Sequence, residues 1–248
     1  MIYISDILPK NDLKALSNEA NTGIETIEFS ISDNLDKLSE KIKNFKLHLD
    51  SMNVSELSFH GPFLDLNPVA YDSQIKRVTE YRFAQSYDAA VRLGAKKIVF
   101  HTCFIPSVYF IDGWAERMAD FWNPFMEKRK KIQVLLENVY DPNPQPILNV
   151  KELVEAQNFM LCLDIGHANC YSPLPLSDWI HCLGANIGHV HVHDNNGRKD
   201  SHLGLGMGNI SVEKTLTQLH EASPNATYTI ECAQLTDVIS TYQLLRTF

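Results

Sequence analysis

The sequence predicts an α/β protein folded as a single (β/α)8 barrel, a TIM barrel, over residues 1–248. Short apolar runs of strand character recur near residues 1–5, 24–30, 56–62, 96–102, 132–139, 159–165, 187–193 and 228–232, each followed by a helix-like stretch. Their spacing averages ~31 residues, the size of one βα unit with its loops. No linker or composition break interrupts the series, and no Gly-x-Gly-x-x-Gly turn follows the first run, as a doubly wound dinucleotide-binding sheet would need.

Taken in order, the elements have local reasons. The opening Met1-Ile2-Tyr3-Ile4-Ser5 lacks the basic and long apolar regions of a signal peptide, so a cytoplasmic protein is expected. After the second run, Ser32-Asp33 reads as an N-cap. Leu35, Leu38, Ile42, Phe45, Leu49 and Met52 then step by three and four, which is one face of a helix with lysines opposite. A helix over 73–93 follows the third run and ends at Leu93-Gly94, a glycine suited to the C′ position. The segment after His101 is long and aromatic (Phe104, Tyr109, Phe110, Trp114). It reads as a rim for a ring-bearing or sugar-like molecule, or equally as aromatics packing the loop onto the barrel. Asp141-Pro142-Asn143-Pro144-Gln145-Pro146 reads as a loop between the fifth run and its helix. Gly204, Gly206 and Gly208 follow the seventh run without the Gly-Lys-Ser/Thr ending of a phosphate loop, and read as a flexible rim loop.

Composition narrows the function classes. With 44% hydrophobic and 21% charged residues the chain is ordinary globular material, and no apolar stretch approaches the ~20 residues of a membrane helix. Five cysteines without a Cys-x-x-Cys pair argue against a disulfide scaffold or a thiolate zinc site. A net charge of −8 argues against nucleic acid, although bound divalent cations would offset much of it. The placement of basic residues argues more strongly. Lys128-Arg129-Lys130-Lys131 precedes the fifth strand, on the barrel's bottom face, and only Arg198 and Lys199 fall near the mouth.

Strand side chains alternate between the helices and the barrel axis. Leu57 and Phe59 oppose Ser58 and His60; Ile98 and Phe100 oppose Val99 and His101; Val134 and Leu136 oppose Leu135 and Glu137. Leu161 and Leu163 oppose Cys162 and Asp164; Val190 and Val192 oppose His189, His191 and His193; Tyr228 and Ile230 oppose Glu231. The inward set therefore ends, strand after strand, in imidazole or carboxylate, at the face where barrel active sites are built. Converging buried carboxylates are costly unless cations offset them, and imidazole with carboxylate suits Zn(II), Mn(II) or Fe(II). Parity alone leaves open which of His189, His191 and His193 is a ligand. His48, His181 and His220 fall on helical segments and read as solvated or locally paired.

Combined motifs give the chain a resemblance to the xylose isomerase-like barrel superfamily, which includes sugar phosphate isomerases and epimerases and the endonuclease IV group (AP endonuclease family 2). Ser58-Phe59-His60-Gly61-Pro62-Phe63-Leu64 resembles the His-Ala-Pro-Tyr-Leu segment of endonuclease IV, and Leu93-Gly94-Ala95 through Phe100-His101 its Leu-Gly-Ala…Phe-His stretch. Leu136-Glu137-Asn138 resembles the Glu-Asn motif, and Asp164-Ile165-Gly166-His167-Ala168 the Asp-x-x-His-Ala motif. His191-Val192-His193-Asp194 resembles a His-Leu-Asn-Asp segment, which selects His191. Asp200-Ser201-His202 fits an Asp-x-His loop, and Ile230-Glu231 the terminal Glu.

That resemblance implies nine metal-ligand positions: His60, His101, Glu137, Asp164, His167, His191, Asp200, His202 and Glu231. It implies zinc or manganese as cofactor. The single-metal subset of the isomerases would be Glu137, Asp164, His191 and Glu231, whereas the full set suggests two or three ions, as in the hydrolytic branch. The first expectation is therefore a metal-dependent hydrolase of a small sugar-phosphate-type phosphoester, with Arg198 touching a substrate anion and Phe63 and Trp114 contacting substrate. The alternative is a sugar or sugar-phosphate isomerase or epimerase in which Glu137 and Glu231 act as acid and base. Phe63-Leu64 resembles the wedge pair that endonuclease IV inserts into DNA, but without a basic groove it reads as pocket wall. An abasic-site nuclease and a non-catalytic sugar-binding barrel stand behind both. The expected partner is a small sugar or phosphoester, not nucleic acid or membrane.

Overall fold

The alternation of inward and outward side chains closes the sheet on itself. The computed structural model describes residues 1–20 and 22–248. Its strands are β1 (Ile2–Ser5), β2 (Gly23–Thr26), β3 (Leu57–His60), β4 (Lys97–His101), β5 (Gln133–Glu137), β6 (Phe159–Asp164), β7 (Ile187–Val192) and β8 (Thr227–Ile230). They pair in parallel in chain order, and β8 returns to β1 with Tyr228 opposite Ile2 and Ile230 opposite Ile4. The result is a closed eight-stranded barrel.

The helices are α1 (Lys10–Glu19), α2 (Ser32–Asp36), α3 (Leu38–Leu49), α4 (Ser73–Arg92), α5 (Trp114–Glu127), α6 (Gln145–Leu153), α7 (Ile165–Tyr171), α8 (Leu176–Leu183), α9 (Val212–Ala222) and α10 (Leu235–Leu245). Among the described residues no helix is long and apolar enough to cross a membrane. Outward strand residues Phe100, Leu136, Leu163 and Val190 are buried against this outer layer. Phe100 stacks on Phe83 of α4 at 4.3 Å, and burying each such large side chain contributes ~1.5–3 kcal/mol. The inward residues Val99, Leu135 and Cys162 form a small separate apolar cluster inside the barrel. They sit one pleat below His101, Glu137 and Asp164, as parity requires.

The expected single helix after the second run is two. The Leu35 carbonyl accepts a hydrogen bond from the Gln85 amide at 3.1 Å, and Asp36 pairs with Arg82 at 2.7 Å, so α4 holds α2. Lys37 leaves helical geometry and α3 restarts at Leu38. The N-cap also shifts to Ile31, without a side-chain cap, and Ser32 lies inside the first turn. The second strand is shorter than its apolar run because the Asp6 carboxylate takes the Ile27 N–H at 2.7 Å, and Glu28–Ser30 form a 3-10 turn. Gly94 has φ +78°, and Ala95 N–H returns to the Ala90 carbonyl at 2.9 Å, the expected helix stop. The basic run 128–131 lies between α5 and β5, at the end of the barrel opposite the donor side chains.

Candidate metal centre

His60, His101, Glu137 and Asp164 are the last residues of β3, β4, β5 and β6, His191 is the penultimate residue of β7, and Glu231 directly follows β8. His167 sits in the first turn of α7, whose N-terminus Asp164 caps by accepting the His167 N–H at 2.6 Å. Asp200 and His202 come from the loop between β7 and α9. That loop is held firmly, where a flexible rim was expected. The buried Asp194 carboxylate accepts N–H groups of Asn195 (2.8 Å), Gly206 (2.9 Å), Gly208 (3.0 Å) and Ile210 (3.2 Å). A Cβ on Gly208 would stand 2.2 Å from Asp194 Oδ1, so the glycine is required by close approach.

The nine donors fall into three groups. His60 Nε2 and His101 Nε2 face each other at 3.0 Å, and each is 3.4 Å from Glu137 Oε2. His191 Nδ1 lies 3.3 Å from Glu137 Oε1, 3.6 Å from Glu231 Oε1 and 3.9 Å from Asp164 Oδ2. Asp200 Oδ2 lies 3.3 Å from His167 Nε2 and 3.2 Å from His202 Nε2.

The hydrogen bonds behind these rings fix which nitrogen is offered. His60, His167 and His202 each set Nδ1 against a backbone carbonyl: Gly61 at 2.9 Å, Asn138 at 3.1 Å and Glu231 at 2.6 Å. Each Nδ1–H donated there leaves Nε2 with its lone pair toward the carboxylates, the arrangement that orients metal-ligating histidines. Glu137 Oε2, Asp200 Oδ1 and His191 Nδ1 are buried without a hydrogen-bond partner. Buried polar atoms of that kind are rarely left unmatched. Divalent cations fit them, because imidazole nitrogen and carboxylate oxygen are suitable ligands at close range.

A family profile described as xylose isomerase-like TIM barrel matches residues 16–245. The chain belongs to that family. It is 27% identical over 224 residues to the uncharacterised protein MJ1311 of Methanocaldococcus jannaschii, covering 85% of this chain and 76% of that one. Among solved structures, a D-tagatose 3-epimerase-like protein superposes with TM-score 0.81 at 24% identity, covering 99% of this chain and 96% of the other. The TTHB071 protein of Thermus thermophilus, soaked with ZnCl2, gives TM-score 0.80 at 22% identity with the same coverage.

Within this xylose isomerase-like barrel the electrostatics follow from burial. Burial alone pushes the Glu137 carboxyl up, but His191 and His101 hold it well below the ordinary carboxylate range. Burial pushes the His101 imidazole down to about 3, which keeps the ring neutral and able to offer a lone pair. Asp200 is held low, against its own desolvation, by His167 and His202.

Two further residues lie near the centre: Glu25, which was not singled out from the sequence, and His193, which strand parity had left open. Glu25 of β2 is fully buried beneath His191, with Oε1 2.8 Å from His191 Nε2. Its other oxygen accepts from Ser58 Oγ at 2.7 Å and Thr229 Oγ1 at 3.1 Å. The inward parity of Ile24-Glu25-Thr26 was the available signal. His193 is buried with Nε2 3.1 Å from Asp164 Oδ1 and Nδ1 3.5 Å from Asp200 Oδ1, and its ring stacks on His202 at 4.0 Å. It adds a tenth donor beside the third group. His189 instead bonds Thr227 and Thr229 (2.5 and 2.7 Å) in the barrel interior, below the mouth.

A cavity of about 850 Å3 opens over the donors, lined by His60, His101, Glu137, His167, Asp200, His202 and Glu231 on one side. Phe63 lies in its wall with its ring stacked on His101 at 4.4 Å. Trp114 does not reach it: the indole is fully buried at the start of α5, edge-on to Phe104 at 5.5 Å, and Phe104 and Tyr109 face the cavity instead. Arg198 is solvent-exposed and outside the lining.

Proposed function

We propose that this barrel is a divalent-metal-dependent isomerase or epimerase acting on a sugar, with Glu137, Asp164, His191 and Glu231 as the essential metal ligands. The carrying observation is the placement of Glu137 and Glu231, whose carboxylates both line the cavity and flank His191 Nδ1 at 3.3 and 3.6 Å. Two carboxylates around one centre can serve as base and acid on a carbon beside a carbonyl. Bound there, zinc or manganese supplies electrophilic polarisation of carbonyl and hydroxyl oxygens. The chain's own part is to hold Glu137 ionised and buried, and to take a proton from the carbon through one carboxylate and return one through the other. The similarity to a D-tagatose 3-epimerase-like protein supports this reading over the hydrolase that the motif resemblance put first.

A second reading, phosphoester hydrolysis, is favoured by the groups His60–His101 and His167–Asp200–His202, which a single-metal isomerase does not need. Elemental analysis and a substrate screen separate the two. One essential ion per chain with turnover of ketoses supports epimerisation. Two or three ions with turnover of phosphodiesters, an abasic-site oligonucleotide included, supports hydrolysis. Under either reading Glu137→Gln should leave a folded protein with turnover reduced by about 100-fold or more. Near-wild-type activity in that variant would remove both.

A further inference from the structure

The wall of the cavity facing the donors is apolar and carries no positive charge. Ile7, Ile27, Leu66, Phe104, Ile105 and Tyr109 form much of it, and among the described residues no lysine or arginine lines the cavity. Two of its neutral polar side chains are already committed, and the Tyr109 and Tyr140 hydroxyls beside them are uncharged. Asn67 donates to the Cys103 carbonyl at 3.2 Å and accepts the Val69 N–H at 2.8 Å, and Ser30 donates to the Ile27 carbonyl at 2.7 Å. Helix α4 brings Ile75 to the rim, but its N-terminus is occupied by the Asp72 carboxylate, which accepts the Gln74 N–H at 2.7 Å. An N-terminus capped in this way is not free to take an anion. The charged group this wall does present is Asp65, an exposed carboxylate.

We infer that the substrate end held away from the metal ligands is uncharged and apolar, such as a deoxy or alkylated terminus, and that phosphorylated sugars are excluded. A phosphate dianion there would lose hydration with no guanidinium, ammonium or free N–H group to replace it. A methyl group would instead gain the apolar surface of Ile7, Ile27, Leu66, Phe104 and Ile105. This rests on the sugar reading above and selects among its substrates.

The test is equilibrium binding by calorimetry to manganese-loaded protein, measured separately from turnover. D-fructose, 6-deoxy-D-fructose and D-fructose 6-phosphate differ only at the far carbon. The deoxy sugar is expected to bind about tenfold tighter than fructose, and the phosphate ester about 100-fold weaker. Binding of the phosphate ester as tight as fructose overturns the inference. Ile105, at the accessible part of the wall (45% exposed), permits the converse test: Ile105→Arg should raise affinity for the phosphate ester about tenfold, and no gain in a folded variant counts against the wall as the distal subsite. If none of the three sugars binds or turns over, the ketose reading fails, and the wall is tested alone with an uncharged naphthalene dye. Dye binding that weakens about tenfold in Ile105→Asp supports the apolar subsite, and absence of binding overturns it.

Discussion

Replacing Glu25 by glutamine keeps the shape of a buried side chain and removes its charge. The carboxylate lies 2.8 Å from His191 Nε2, on the side of the ring opposite the Nδ1 atom that faces Glu137, Asp164 and Glu231. Burial pushes Glu25 up, but His191 and His189 hold it well below the ordinary carboxylate range, so it is ionised at neutral pH. A carboxylate behind a ligating imidazole raises its basicity and fixes its ring, and losing such a partner costs about 10–100-fold in metal affinity, or ~1.4–2.7 kcal/mol. The Ser58 and Thr229 hydroxyls, which donate to Glu25 at 2.7 and 3.1 Å, can still donate to the amide oxygen, so the fold should survive. Chelator competition with manganese or zinc measures the affinity, and circular dichroism checks the fold. Metal affinity within about twofold of wild type in a folded Glu25→Gln protein would refute the role assigned to Glu25.

Three further outcomes are expected. Gly166→Ala would place a Cβ 2.0 Å from His193 Cε1 in the buried centre; thermal denaturation should show a loss of about 1–3 kcal/mol, and an unchanged midpoint would contradict the packing described. Asp194→Ala strips four backbone N–H groups of their acceptor, so a loss of about 3 kcal/mol is expected, together with weaker retention of metal at Asp200 and His202, read by metal content after dialysis. Asp6, half-buried and accepting from the Ile27 N–H and the Thr26 hydroxyl, has its pKa raised by desolvation to about 6. With an unfolded value of ~3.9, the folded state binds the extra proton, so this group's stabilisation is full below pH ~4 and is lost as pH rises through 6, by roughly 3 kcal/mol. Urea midpoints followed from pH 4 to 7 should therefore fall less steeply in Asp6→Asn than in wild type; parallel curves would refute the assignment.

The sequence by itself determined the alternation of strand and helix and the parity of each strand, because both are periods of a few residues imposed by local geometry. That was enough to send His60, His101, Glu137, Asp164, His191 and Glu231 to one end of a barrel. The helix stop at Gly94 was legible for the same reason: a left-handed position asks for glycine wherever it occurs. Only the tertiary structure decided how the donors divide among themselves, since that depends on how neighbouring strands are staggered at closure. It also brought Glu25 beneath His191 across the barrel axis, sent Trp114 into the core while Phe104 took the cavity wall, and broke the helix at Lys37 through contacts from α4. These are contacts between segments distant along the chain, and a local period carries no information about which distant surface a side chain will meet.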